Sequence, residues 1–81
     1  MSRFDVIRVI VDTMKERNYL GLFNISYVSD CIVVAMIIND CSISRVISMA
    51  EVRACKEPRY MIRLVINDII NQIRSGGTAN D

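Results

Sequence analysis

Apolar residues recur along the chain with a changing period, and each period predicts an element. From Ser2 to Asn18, Phe4, Ile7, Ile10, Val11 and Met14 fall three or four residues apart, while Asp5, Arg8, Asp12, Lys15 and Glu16 fall on the opposite side. That spacing predicts an amphipathic helix. Val9 lies among the acidic residues of the polar side. Ser2, followed three residues later by Asp5, resembles a capping box, in which a side-chain oxygen and a carboxylate satisfy early orphan amides. Asn18 and Gly21 are candidate terminators, with Tyr19 and Leu20 packing back on the last turn. From Leu22 to Asn39 the residues turn β-branched or aromatic, which predicts a hairpin. Phe23, Ile25 and Tyr27 alternate with Asn24 and Ser26, as in a half-buried strand, whereas Cys31–Ile38 is continuously apolar, as in a strand covered on both faces. Ser29-Asp30 supplies the first turn, although the lack of glycine argues against a tight two-residue loop. Asn39-Asp40-Cys41-Ser42 supplies the next.

Residues 43–56 read in two ways. As a helix they place Ile43, Val46, Ile47, Ala50 and Ala54 on one face. Yet Ile43, Val46 and Ile47 are strand formers, and Ser48 followed by Glu51 marks a fresh helix start. The alternatives are a third strand through about Ile47 leading into a short helix, or a helix throughout. Pro58 then opens another helix over 59–74, where Ile62, Val65, Ile66, Ile69, Ile70 and Ile73 form one stripe and Arg63, Asn67, Asn71 and Arg74 another. Residues 1–75 are expected to form a single compact domain, and residues 76–81 a flexible tail after the helix-ending glycine.

The expected fold is α+β: a small two-layer sandwich with an antiparallel hairpin or three-stranded sheet packed against N- and C-terminal helices. With a third strand, the order helix, three strands, helix is similar to that of double-stranded-RNA-binding domains. That likeness is one of topology. The family's glycine- and lysine-rich patch at the start of its last helix has no counterpart in Glu57-Pro58-Arg59-Tyr60-Met61, so no residue role is carried over.

Composition adds a constraint. With 81 residues, 52% apolar, the chain has more hydrophobic residue than so small an interior readily hides. A domain of this size buries only about 60–65% of its unfolded surface, so apolar surface is expected to remain for a partner, and self-association covers it most simply. A homodimer is therefore expected. The isoleucine stripe is chiefly core, but the four-three-four spacing of Ile62, Ile66, Ile69 and Ile73 also suits a helix-to-helix seam. Charged residues interrupt the first dozen positions where a secretory signal would be apolar, and the apolar run Cys31–Ile38 is far short of a membrane span. Together with three cysteines, an odd number, these features predict a cytoplasmic protein without membrane attachment.

The chain has no histidine, which removes the commonest general base and metal ligand. Asp12 and Glu16 are a turn apart, as on any solvated helix face. Cys31, Cys41 and Cys55 lack metal-knuckle spacing and read as small buried hydrophobes, with Cys41, in a presumed loop, the thiol to test for reactivity. No enzyme activity, cofactor or metal is expected.

The net charge is +1, yet between Arg45 and Arg63 five basic residues (Arg45, Arg53, Lys56, Arg59 and Arg63) face two acidic ones, Glu51 and Glu57. Tyr60 and Leu64 project opposite the isoleucine stripe, and a tyrosine beside a leucine and arginines is a composition enriched at contact hot spots. The candidate partner-binding residues are Arg53, Lys56, Arg59, Tyr60, Arg63 and Leu64. The expected function is that of a small interaction protein that binds and modulates, by inhibition, another macromolecule, with a protein partner preferred. Small regulators encoded by phages and mobile elements share this profile. The alternative is a nucleic-acid-binding module using the basic stretch.

Overall fold

The computed structural model describes residues 1–75, so the tail expected at 76–81 lies outside the described residues. Six elements follow one another: α1 (Arg3–Glu16), β1 (Leu22–Val28), β2 (Cys31–Ile38), β3 (Cys41–Ser48), α2 (Met49–Ala54) and α3 (Pro58–Arg74). The strands form an antiparallel sheet in the order β1-β2-β3, giving a compact α+β fold. Residues 43–56 thus take the first of the two readings, a strand followed by a short helix. The Ser48 hydroxyl accepts from the Glu51 amide, so the switch falls at a side-chain cap. The element order is that of the likeness noted above, with α2 added.

Both ends of α1 are fixed by local chemistry. The Ser2 hydroxyl accepts from the Asp5 amide at 3.2 Å and the Asp5 carboxylate accepts from the Ser2 amide at 3.0 Å, a complete capping box. At the other end Asn18 adopts a left-handed φ of 53°. The Tyr19 amide then donates to the Met14 carbonyl and the Asn18 amide to that of Lys15, a Schellman closure.

Both hairpin turns are tighter than the sequence suggested. Only two residues separate the paired strand ends Val28 and Cys31, and only two separate Ile38 and Cys41. Ser29 and Asp30 have φ of 52° and 58°, and Asn39 and Asp40 of 49° and 67°, the conformation of type I′ turns. Asn and Asp tolerate positive φ because their short polar side chains compensate locally, so glycine is not needed. Cys41 and Ser42, expected in a turn, already belong to β3.

The core lies between the sheet and a single helical layer. Ile62, Ile66, Ile69, Ile70 and Ile73 of α3 are buried with Val6, Val9, Ile10 and Met14 of α1, Ile32, Val34 and Met36 of β2, Ile47 of β3, and Met49 and Val52. The isoleucine stripe is thereby spent inside the protomer and is not free for a dimer seam. α1 is rotated from the expected face: Val9 is buried, whereas Phe4 is 68% exposed. Apolar residues occupy more than half of the α1 circumference, so periodicity alone did not fix the centre of its inner face. Thr13 joins that face because its hydroxyl donates to the Val9 carbonyl at 2.7 Å and leaves its methyl group to pack.

The sheet also departs from expectation. Helices cover one side of it, where Ile32, Val34 and Met36 are fully buried; on the other side Cys31, Val33 and Ala35 are only half-buried and Ile37 is exposed. Among the described residues β2 is therefore covered on one face, not two, because the helices form a single layer. β1 is hardly covered at all. α3 packs on β2 and β3, and of the helix-side residues of β1 only Ile25 is half-buried, while Phe23 and Tyr27 stay exposed. Gly21 leads into β1 where a Cβ would be driven into the Ile37 carbonyl oxygen and the Tyr19 ring. The Tyr19 hydroxyl, 2.7 Å and 2.8 Å from the carbonyl oxygens of Leu22 and Ile37, closes that corner.

The dependence on α3 is measurable by urea denaturation. Ile66→Ala, at a fully buried position, is expected to lower the unfolding free energy by about 3 kcal/mol. Leu64→Ala, on the exposed side of the same helix, is expected to change it by less than about 0.5 kcal/mol.

Candidate functional site

Pro58 fixes where α3 begins, since its φ suits the first helical position and its missing N–H is not needed there. This places Lys56 and Glu57 in the approach to the helix and Arg59, Tyr60 and Arg63 on its first turns. Together with Met1 and Pro58 these five residues line an open cleft of about 420 Å³. Four of the six partner-binding candidates, Lys56, Arg59, Tyr60 and Arg63, thus converge on one depression. Tyr60 stands 62% exposed at its side, and Leu64, one turn further along, is 50% exposed outside the cleft lining. Arg53 belongs elsewhere.

Ion pairs sort the basic stretch into spent and free charges. Arg53 grips Asp30 in the β1–β2 turn through both terminal nitrogens, at 3.0 Å and 3.1 Å. Arg45 pairs with Asp68 at 3.3 Å, and Arg63 pairs with Glu16 at the end of α1. Lys56 and Arg59 make no ion pair among the described residues. The polar stripe of α3 is likewise occupied: Arg17 donates to the side chains of Asn67 and Asn71, and Arg74 donates to the backbone carbonyls of Arg17 and Asn18. The polar stripe is the seam that ties α3 to the end of α1.

One cluster escaped the sequence. The Arg3 guanidinium lies 4.7 Å from the Tyr27 ring centre and 5.0 Å from that of Phe4. The Tyr27 hydroxyl donates to Asp30 at 2.9 Å, and Asp30 holds Arg53. The Met49 amide, at the start of α2, donates to the Asp30 carbonyl. These residues come from α1, β1, the β1–β2 turn and α2, and nothing local in the sequence joins the three elements. The thiols are dispersed: Cys41 opens β3, half-buried against the core, Cys31 opens β2, and Cys55 follows α2, all three unpaired.

The charges around this end perturb two carboxylates. Hydrogen bonds from Arg53, then from Tyr27, hold the Asp30 carboxyl below the usual carboxylate range, and the same contact raises the Arg53 guanidinium. The backbone and hydroxyl of Ser2 lower Asp5, to which Arg59 adds a small attraction. A folded pKa below the unfolded one means that the unfolded chain binds the proton more readily. The stabilisation is therefore complete above the unfolded value and is lost as pH falls through the depressed folded value. Melting temperature is expected to drop as pH falls below about 4. Asp30→Asn, which keeps the left-handed turn geometry, should melt lower at neutral pH and show a shallower acid dependence, as followed by circular dichroism.

The likeness to double-stranded-RNA-binding domains stops short of this site, where α3 opens without a glycine–lysine patch. Compared with models of known protein families, with curated proteins and with solved structures, the chain finds no significant match.

Proposed function

We propose that the chain is a non-enzymatic interaction protein that works as a homodimer and binds and modulates, by inhibition, another protein. Its contact surface is centred on Tyr60 and Leu64, with Lys56 and Arg59 beside them and Arg63 at the margin, while Arg53, bound to Asp30, lies outside it. The observation that carries this reading is the sorting of the cations. Of the five basic residues between Arg45 and Arg63, three are neutralised by Asp68, Asp30 and Glu16. A nucleic-acid surface gains affinity with every free cation it sets against phosphate, and two isolated ones give little. Two free cations around an exposed aromatic residue, next to an open cleft, instead match the make-up of a protein contact in which an apolar anchor is flanked by acidic groups.

Affinity capture from the native cell, followed by titration of the purified partner, tests the reading. Tyr60→Ala/Leu64→Ala is expected to weaken binding at least tenfold, since truncating a central anchor typically costs about 2 kcal/mol or more. Equal recovery of every partner by wild type and variant would overturn the contact surface. Mobility-shift assays at low salt with single- and double-stranded RNA and DNA are expected to give no shift. A salt-dependent shift abolished by Lys56→Ala/Arg59→Ala would favour the nucleic-acid function instead.

A further inference from the structure

Sheets end in unpaired main-chain groups, and proteins usually protect those edges with charge, proline, bulges or a covering element. β3 is protected: α3 packs on it, and it carries Arg45. Among the described residues β1 has none of these devices along its length, although Arg3 stacks on the Tyr27 ring at its end. Its sequence, Leu-Phe-Asn-Ile-Ser-Tyr-Val, contains no charge, proline or glycine, and it pairs with β2 one residue to one residue without a bulge. Six of its seven residues are exposed.

The turn determines which main-chain groups point outward. In a hairpin with a two-residue loop, the flanking pair Val28 and Cys31 exchanges hydrogen bonds, so Leu22, Asn24, Ser26 and Val28 turn their N–H and C=O groups toward β2. Phe23, Ile25 and Tyr27 turn theirs away from the sheet. Those outward groups sit symmetrically about Ile25, and so does the side-chain chemistry. Leu22 matches Val28, Phe23 matches Tyr27, and Asn24 matches Ser26.

We propose that β1 pairs antiparallel with β1 of a second copy of the chain about a two-fold axis at Ile25, joining two three-stranded sheets into one of six strands. Phe23 then lies opposite Tyr27 of the partner subunit, and Asn24 opposite Ser26 of the partner subunit. Three residue pairs exchange about six main-chain hydrogen bonds. Aromatic pairs form on the helix side, and Leu22 meets Val28 of the partner subunit on the open side, so both faces of the seam gain contacts of the kind that stabilise sheets. A strand from an unrelated protein could use the same main-chain groups, but only self-pairing about Ile25 matches every side chain. An isologous contact of this type also closes after two copies. This inference rests on the homodimer part of the proposed function and not on the surface around Tyr60.

Asn24 and Ser26 form the closely spaced, non-hydrogen-bonded pairs of the seam and project from the open face, away from the core. Sedimentation equilibrium is expected to show a wild-type dimer. Asn24→Lys/Ser26→Lys sets like charges opposite each other twice and should weaken the dimer tenfold or more, whereas Asn24→Lys/Ser26→Glu sets opposite charges there and should restore it. Hydrogen exchange on the wild type does not depend on any variant folding. The amides of Phe23, Ile25 and Tyr27 should be protected at concentrations where the dimer forms and exchange rapidly on dilution. A wild-type chain that stays monomeric at high micromolar concentration overturns both the homodimer and this seam. A wild-type dimer with unprotected amides at these three positions, or one unaffected by the two lysines, overturns the seam alone.

Discussion

The inner face of α3 carries the molecule. Its five buried isoleucines meet α1 on one side and the sheet below, and α2 packs against the same helix. Burying an isoleucine side chain contributes about 2–3 kcal/mol relative to leaving it exposed. No other element brings as much to so small a core. The residues that dock on α3 are therefore ordered, and those that do not are left at the surface. β2 and β3 reach the core directly. β1 is held through β2, by main-chain pairing and the Tyr19 corner, and it contributes one half-buried residue. The exposure of β1 follows from its distance from α3.

The same economy governs the charges. Arg63 and Arg17 are drawn to the α1–α3 seam because α3 presents its polar stripe there, and Arg45 is drawn to Asp68 because β3 lies under α3. Each surface ion pair contributes little to stability on its own. Their consequence for function is subtraction. A stretch with a local excess of three positive charges in the sequence becomes, once folded, a surface with two free cations, and its field is correspondingly weak.

Much of the fold was legible in the sequence, because the signals that specify it are local: the capping box at Ser2 and Asp5, the isoleucine stripe of α3, the strand composition of 22–38, and the helix start at Ser48. The failures share one cause. Periodicity tells how a residue is placed within its own element but not which neighbour comes to cover it. It therefore gave Cys31–Ile38 two covered faces, Phe23 and Tyr27 a buried side, and α1 the wrong rotation. The turns were misjudged for a different reason, since positive φ was equated with glycine although Asn, Asp and Ser occupy all four positions. For the site, the sequence brought together Lys56, Arg59, Tyr60 and Arg63, which one helix start holds close. It could not detach Arg53, whose partner Asp30 lies 23 residues away.

That detachment links the two surfaces of the molecule. Asp30 sits in the turn that ends β1, and through its carboxylate and carbonyl it holds Arg53 and the start of α2. It is itself held by Tyr27, a residue of the β1 edge. α2 then leads in a few residues to Lys56 and the opening of α3. Asp30 is the shared partner of β1 and α2, with Arg3 stacked against its tyrosine partner. The apolar surface expected from composition gathers chiefly in two regions, β1 with the open sheet face and the Tyr60–Leu64 surface. Asp30 thus ties the end of β1 to the start of α2, a few residues before Lys56 and the opening of α3.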